Sequence, residues 1–198
     1  MSGRFVGRVV QLYAGLVAFG TSLALMLRAN LGLGPWDVLH QGLADRLGVP
    51  IGWVVIGTGL VVMLAWIPLR ERPGIGTLSN AVLVGLIADA ALALISPPGQ
   101  MPVRVAFLVL GIVGTAIGTG LYVGAGFGPG PRDGLMTGLA RRGISVRIVR
   151  TGIEVCALGV GLLLGGSVGI GTIAFALGIG PLVQLALPRL AFGNGRTA

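Results

Sequence analysis

Long runs of apolar residues alternate with short polar segments along almost the whole chain. Each run approaches the roughly 20 residues that an α-helix needs to cross about 30 Å of hydrocarbon. The pattern therefore predicts an all-α integral membrane protein with about six transmembrane helices. The predicted spans are residues 9–28, 51–69, 75–96, 103–124, 147–165 and 171–188.

Two motifs between and within these runs occur twice. Gly34-Pro35-Trp36-Asp37 returns 96 residues later as Gly130-Pro131-Arg132-Asp133, and Gly74-Ile75-Gly76-Thr77 returns 95 residues later as Gly169-Ile170-Gly171-Thr172. A constant offset over the chain predicts a duplicated unit.

The duplication divides the chain into two three-helix repeats, at 1–98 and 99–192, followed by a short tail at 193–198. Because each half has an odd number of spans, the second half must enter the membrane from the opposite side. The sequence therefore predicts inverted repeats, an arrangement found in many transporters, with any binding site where the halves meet.

Two polar segments, 35–47 and 131–142, are too short to cross the membrane. Each opens with Gly-Pro, and proline is favoured at the first position of a helix. We expect two short helices, and the pattern leaves open whether they are interfacial or re-entrant.

All 14 basic residues are arginines, and their distribution is uneven. If the six spans alternate, eleven arginines lie on one side, and only Arg28, Arg46 and Arg104 lie on the other. This positive-inside bias predicts a protein of the bacterial inner membrane with both termini in the cytoplasm. The same distribution argues against the nucleic-acid partner that a net charge of +8 would otherwise suggest.

Enzyme, cofactor and metal signatures are not found in the sequence. Cys156 is the single cysteine and His40 the single histidine, so neither a disulfide nor a metal cluster is expected. We expect His40 to be a solvated residue of a short interfacial helix. The chain also lacks the lysine of a phosphate-binding loop.

The motif Gly32-Leu33-Gly34-Pro35-Trp36-Asp37-Val38-Leu39, its echo at 130–135 and the Gly-Ile-Gly-Thr tetrads resemble the bacterial integral-membrane family labelled YczE/YyaS/YitT. The resemblance covers roughly residues 10–190. It implies a multi-pass inner-membrane protein, and it indicates the fold and the location more than the function.

Carboxylates inside the spans are candidates for substrate or ion coupling. Asp89 lies well inside the third span, without a basic side chain three or four positions away. It is either a proton carrier or a structural hydrogen-bonding group. Glu154 follows Arg150 by one turn, so it either forms an ion pair or serves as a second proton or cation site. Asn80 and Gln184 are candidates for lining a cavity, with interhelical hydrogen bonds as the alternative.

The Gly-Pro-X-Asp motifs supply candidate gates. Asp37 and Asp133 occupy the first turn of each short helix, where they either cap the helix or contact a ligand. Trp36 and Arg132 differ between the copies, which predicts an aromatic mouth outside and a guanidinium mouth inside. Trp36 is alternatively an interfacial anchor. Pro35 and Pro131 complete the candidate motifs.

Two functions follow from these features. The first is a secondary transporter or exporter of a small solute or ion in the lipid bilayer. It would work by rocking of the two inverted halves, with Asp89 as the coupling residue. Because six helices are few for a transporter, we expect a homodimer. The second is a non-transporting accessory or scaffold protein, which would bind a partner through the arginines at positions 141, 142, 147 and 150.

Overall fold

The computed structural model describes residues 2–192, so the predicted tail at 193–198 lies outside the described residues. Within the described range the chain is helical, with no strand. The helices are α1 (Ser2–Ala29), α2 (Pro35–Leu47), α3 (Ile51–Leu64), α4 (Trp66–Leu69), α5 (Ile75–Leu94), α6 (Met101–Gly124), α7 (Pro131–Ala140), α8 (Val146–Leu163) and α9 (Ile170–Leu190). The predicted all-α class is confirmed.

Five segments of the described chain are long and apolar enough to cross a membrane, and they comprise α1, α3 with α4, α5, α6 and α9. The sixth predicted span, 147–165, forms the helix α8 but is not among them. It contains Arg147, Arg150 and Glu154. With three charged residues among 18, α8 is more polar than the five apolar segments. The structure therefore supports five of the six predicted spans, and the sixth stays a prediction.

The long helices run in two directions, as hydrogen bonds near their ends show: α1 and α5 end together, and α6 and α9 end where α1 starts. The start of α1 meets the ends of α6 and α9, since the Gln11 side chain donates to the carbonyls of Leu121 and Leu190 at 3.0 and 2.6 Å. The end of α1 meets the end of α5, since Arg28 donates to the Leu92 carbonyl. We call the first of these the arginine-rich end and the second the opposite end.

Helices α1 and α6 cross at the centre of the molecule through glycines. A Cβ atom added at Gly15 would meet the Gly118 carbonyl and the Tyr122 amide at 2.9 and 2.6 Å. A Cβ added at Gly111 would collide with Met26 on the other helix. Bare backbone allows helices to approach closely in lipid, where apolar burial no longer drives association. These glycine faces therefore serve packing inside the chain.

The two ends of the α1–α6 pair carry matching arginine contacts. Arg8 donates from Nε to the Ala125 carbonyl at 2.7 Å and from Nη2 to the Gly126 carbonyl at 2.9 Å. At the opposite end, Arg104 donates in the same way to the carbonyls of Ala29 and Asn30, at 2.8 and 2.5 Å. The two donors, Arg8 and Arg104, are 96 residues apart in the sequence, and so are the corresponding acceptors of the two sets.

The Gly-Ile-Gly-Thr tetrads begin α5 and α9 and hold the loops that precede the short helices. The Gly76 amide donates to the Phe127 carbonyl at 2.9 Å, and the Gly171 amide donates to the Leu31 carbonyl at 2.7 Å. In each tetrad the threonine hydroxyl also accepts a hydrogen bond from the amide of the first glycine. Gly74 donates to Thr77, and Gly169 donates to Thr172. Each half thus positions the motif helix of the other half.

The halves differ in one packing contact. Helix α3 packs on α5, where a Cβ added at Gly85 would collide with the Gly52 carbonyl. In the described chain, α8 packs on α2 and α7 but not comparably on α9. Gly180, which matches Gly85 at an offset of 95, accordingly has no atom within 4 Å of an added Cβ.

The outer surface of the helix bundle is strongly apolar. Large aliphatic side chains are largely exposed, for example Ile67 at 73% and Leu177 at 74%. A soluble protein rarely exposes so much contiguous apolar surface, whereas lipid tails accommodate it. The protein therefore resides in a membrane.

Candidate functional site

Two short helices, α2 and α7, point their first turns into the interior of the protein. Pro35 and Pro131 are the first residues of these helices, as predicted, and both are buried. Helix α7 is held by Trp66, whose Nε1 donates to the Pro131 carbonyl at 3.0 Å and whose ring lies against Gly134. The first turns of both helices are therefore enclosed by the protein.

A cavity of about 170 Å³ lies where the first turns of α2 and α7 approach each other. This is close to the size of an engineered protein cavity of about 150 Å³ that holds benzene. Part of its wall is apolar, formed by Phe19, Val84, Phe175 and Ile179. Most of the predicted site residues line it, namely Pro35, Trp36, Asp37, Asn80, Pro131, Arg132, Asp133 and Glu154.

Arg132 and Trp36 are in contact inside this cavity. The guanidinium carbon of Arg132 lies 4.7 Å from the centroid of the Trp36 ring, a cation–π geometry worth about 0.5–2 kcal/mol. The prediction that these residues mark two separate mouths, one on each side of the membrane, is therefore wrong. They occupy equivalent positions in the two copies and meet between them.

His40 is fully buried, so the prediction of a solvated histidine is wrong. Its Nε2 atom lies 2.8 Å from Thr58 Oγ1, and its Nδ1 atom lies 3.5 Å from Asp37 Oδ1. Arg132 Nη2 is 3.4 and 3.3 Å from the two ring nitrogens. Burial lowers the pKa of His40, and the nearby Arg132 charge acts in the same direction. The ring is therefore neutral at neutral pH.

Asp133 accepts a hydrogen bond from the Tyr122 hydroxyl at 2.7 Å. Asp37 lies beside His40 instead, so the two motif carboxylates have different surroundings. Within the described chain neither carboxylate accepts a hydrogen bond from the backbone of its own helix, although both lie in the first turn. Hydrogen-bonded capping thus does not account for them, and both face the cavity.

The predicted Arg150–Glu154 pair is present at the rim of the cavity. Arg150 Nε lies 2.9 Å from Glu154 Oε1, with 44% and 29% of the two side chains exposed. Because these residues both line the cavity and reach the surface, the cavity opens past this part of α8. An exposed pair of this kind contributes about 0.3–0.5 kcal/mol at most.

Asp89 lies outside the cavity. Its Oδ1 atom accepts the Gly52 amide at 2.8 Å, in the first turn of α3. A carboxylate at this position satisfies a free helix N–H group and complements the helix dipole. The structure therefore gives Asp89 a place in the α3–α5 contact rather than beside a solute in the cavity.

Gln184 is exposed on α9 and does not line the cavity, in contrast to the prediction that it is a cavity-lining residue. The matched position on α5 is Asp89, which contacts α3. Gln184 lacks such a contact because α8 does not pack against α9 in the described chain.

The four arginines of the cluster predicted to bind a partner protein are exposed, and three of them also contact the chain itself. Arg141 Nη1 lies 3.0 Å from Glu71 Oε1, and Arg142 donates to the Pro68 carbonyl at 2.5 Å. Arg150 pairs with Glu154. Within residues 2–192 no three His, Cys, Asp or Glu side chains lie close enough to hold a metal ion.

The lipid-facing surface and the five apolar spans define an all-helical membrane protein that crosses the bilayer several times. A family model described as "Family of unknown function (DUF6198)" matches residues 6–188, and the chain belongs to that family.

The chain is similar to proteins of two bacterial species. The chain is 39% identical over 177 residues to a protein of Haemophilus influenzae named "Uncharacterized protein", covering 89% of this chain and 81% of the relative. It is 36% identical to "Uncharacterized membrane protein YczE" of Bacillus subtilis, covering 89% and 84%. It is 25% identical to "Uncharacterized protein YyaS" of the same species, covering 88% and 89%. No solved structure matches the chain. The predicted resemblance to YczE and YyaS is confirmed.

Proposed function

We propose that the protein is a membrane transporter for a small solute, built from two inverted three-helix repeats, with the cavity between α2 and α7 as its substrate site. The observation that carries the proposal is the exchange of equivalent contacts at opposite ends of the molecule. Arg8 binds the end of α6 as Arg104 binds the end of α1.

Further matched contacts support a twofold relation in the membrane plane. Arg46 donates to the Leu164 carbonyl at 3.3 Å, while Arg142, 96 residues later, donates to the Pro68 carbonyl. Pro68 and Leu164 are themselves 96 residues apart. In this arrangement α8 is the sixth span and the counterpart of α3, and its charged first half lines an aqueous path rather than lipid.

The unequal packing of the halves supports alternating access. The α3–α5 contact closes the opposite end through Gly52, Gly85 and Asp89, whereas α8 stands apart from α9 near the arginine-rich end. The positive-inside bias assigns the arginine-rich end to the cytoplasm. The structure then corresponds to a state that is open to the cytoplasm and closed to the outside.

The second state follows by exchanging the roles of the halves, as in other inverted-repeat transporters. Helix α8 closes on α9 over Gly180 and Gln184, while α3 leaves α5 and the Asp89 carboxylate releases the Gly52 amide. Asp89 is thus an element of the outer gate. Any coupled proton or cation binds at Asp37 or Asp133, which lie in the cavity.

The scaffold alternative is supported less well. Its proposed basic surface is exposed, but three of the four arginines also bind atoms of the chain, which leaves fewer of their N–H donors for a partner.

Side-specific labelling tests the transporter. Cys156 is exposed and is the chain's one cysteine, so Cys156→Ala gives a cysteine-free background. Val183→Cys then places a thiol in the cavity wall, and Val17→Cys places a control thiol on the lipid-facing side of α1. Both are treated with a membrane-impermeant maleimide in right-side-out and inside-out vesicles.

Alternating access predicts that the thiol at 183 is labelled from both sides of the membrane and the thiol at 17 from neither. Labelling at 183 from one side only would contradict the proposal. A metabolite comparison of cells with and without the protein then supplies solutes for flux measurements in proteoliposomes.

A further inference from the structure

Some of the charged side chains that face the cavity lack a partner of opposite charge. Arg150 and Glu154 neutralise each other at the rim. The inner part then holds Asp37, Asp133 and Arg132, with His40 beside them in its neutral form. The inner charges therefore sum to one negative charge, yet they are of both signs.

Arg132 is the most unusual of these groups. No carboxylate oxygen of the described chain lies within 4 Å of its guanidinium nitrogens, which instead approach the His40 ring. An interior guanidinium normally has an anionic partner, because burial of an unpaired charge is costly. Its planar set of N–H donors matches a carboxylate, which it binds through two parallel hydrogen bonds.

Further free donors lie close to this guanidinium. Arg132 and Asp133 are the second and third residues of α7, and the first turn of a helix has backbone N–H groups without an intrahelical acceptor. Trp36, which touches Arg132, has a buried indole N–H without an acceptor in the described chain. An anionic group at Arg132 would therefore meet several donors at once.

A simple anion would leave the inner part of the cavity with two net negative charges. A solute that also carries a positive group avoids this, because Asp37 and Asp133 are available to that group on the same cavity wall. The aromatic and aliphatic side chains of Phe19, Val84, Phe175 and Ile179 offer contact to an apolar body, and the volume of about 170 Å³ limits its size.

We propose that the transported solute is a small zwitterion that carries a carboxylate, an amine and a compact apolar body, with the carboxylate at Arg132 and the amine at Asp37 or Asp133. This inference rests on the proposed transporter function and specifies its substrate class.

Matched probes test this chemistry on the purified full-length protein in lipid nanodiscs. Leucine carries both charges, 4-methylpentanoate lacks the amine, and 3-methylbutylamine lacks the carboxylate. Binding is measured by calorimetry at pH 7. We expect leucine to bind at least tenfold more tightly than either single-charge probe. Equal or tighter binding of either single-charge probe, or no binding of leucine, would overturn the zwitterion assignment.

Variants at position 132 test the residue itself. Arg132→Gln is expected to weaken leucine binding at least tenfold, and Arg132→Lys to restore part of it by returning the charge. Arg189→Gln is the matched control, since Arg189 is exposed on α9 and, within residues 2–192, binds only the Leu185 carbonyl of its own helix. Size-exclusion profiles identify any variant that fails to fold. Unchanged binding by a folded Arg132→Gln variant would refute the role of Arg132.

Failure of this inference is distinguishable from failure of the transporter. If no probe binds but the thiol at 183 is labelled from both sides, the zwitterion class is wrong and alternating access stands. If no probe binds and labelling occurs from one side only, both proposals fail.

Discussion

Removal of the matched arginines, Arg8 and Arg104, should destabilise the protein by similar amounts. Each side chain makes two hydrogen bonds to carbonyls at the end of the partner helix, at 2.7 and 2.9 Å for Arg8 and at 2.8 and 2.5 Å for Arg104. In each pair one bond is partly buried and the other is exposed to solvent. Because the hydrogen bonds match, their contributions should match, and the Phe127 ring, 4.7 Å from the Arg8 guanidinium carbon, adds about 0.5–1 kcal/mol at Arg8 only.

The magnitude follows from the partly buried bond of each pair. A hydrogen bond from a charged donor contributes about 1.5–3 kcal/mol, and the exposed second bond adds little because water replaces it. We therefore expect Arg8→Gln and Arg104→Gln each to lower the free energy of unfolding by about 1.5–3 kcal/mol. The two sites lie at opposite ends of α6, so the double variant should show the sum within about 0.5 kcal/mol.

Equilibrium unfolding in mixed micelles with increasing SDS measures these differences, with helix content followed by circular dichroism. Arg189→Gln serves as the control and should change the stability by less than about 0.5 kcal/mol. The matched roles of Arg8 and Arg104 would be refuted if one substitution lowered the free energy of unfolding and the other changed it no more than the control does.

Four further substitutions test individual contacts by the same unfolding assay. Gly85→Ala should cost about 1–3 kcal/mol of stability because its Cβ collides with the α3 backbone. Gly180→Ala should cost nothing, because open space surrounds its Cβ. Equal effects of the two substitutions would contradict the unequal packing. Trp66→Phe should cost about 0.5–1.5 kcal/mol because it removes the indole hydrogen bond to the Pro131 carbonyl, and a neutral outcome would show that this bond does not hold α7. Gly128→Ala should cost about 1–3 kcal/mol because its φ of 117° is strained for a residue with a Cβ; wild-type stability would contradict that backbone conformation.

The repeat was the most informative part of the sequence. Equal offsets identified Trp36 and Arg132 as equivalent positions, and the structure brings them into contact. They also identified the two short helices, because Gly-Pro followed by a polar segment has a local physical meaning as a helix start. Their meeting in one cavity was not predictable, since depth in the membrane is set by contacts from the other half of the chain.

Polar residues inside or near the spans were harder to interpret. The surroundings of Asp89 come from the start of α3, 37 residues earlier, and no pattern within α5 reports that contact. His40 lies on a segment of mixed polarity, so its complete burial against Thr58 could not be read from its neighbours. Tyr122 was missed as a partner of Asp133; a polar aromatic within an apolar span was the available signal.

Distances across the two gates test the inverted-repeat mechanism most directly. Spin labels at Trp53 and Ala90 report on the α3–α5 contact, and labels at Ile148 and Leu185 report on the separation of α8 from α9, all at exposed positions in the Cys156→Ala background. Gly85→Ala is then introduced to open the first contact. The account predicts that the α3–α5 distance increases while the α8–α9 distance decreases. An increase at α3–α5 with no change at α8–α9 would contradict it.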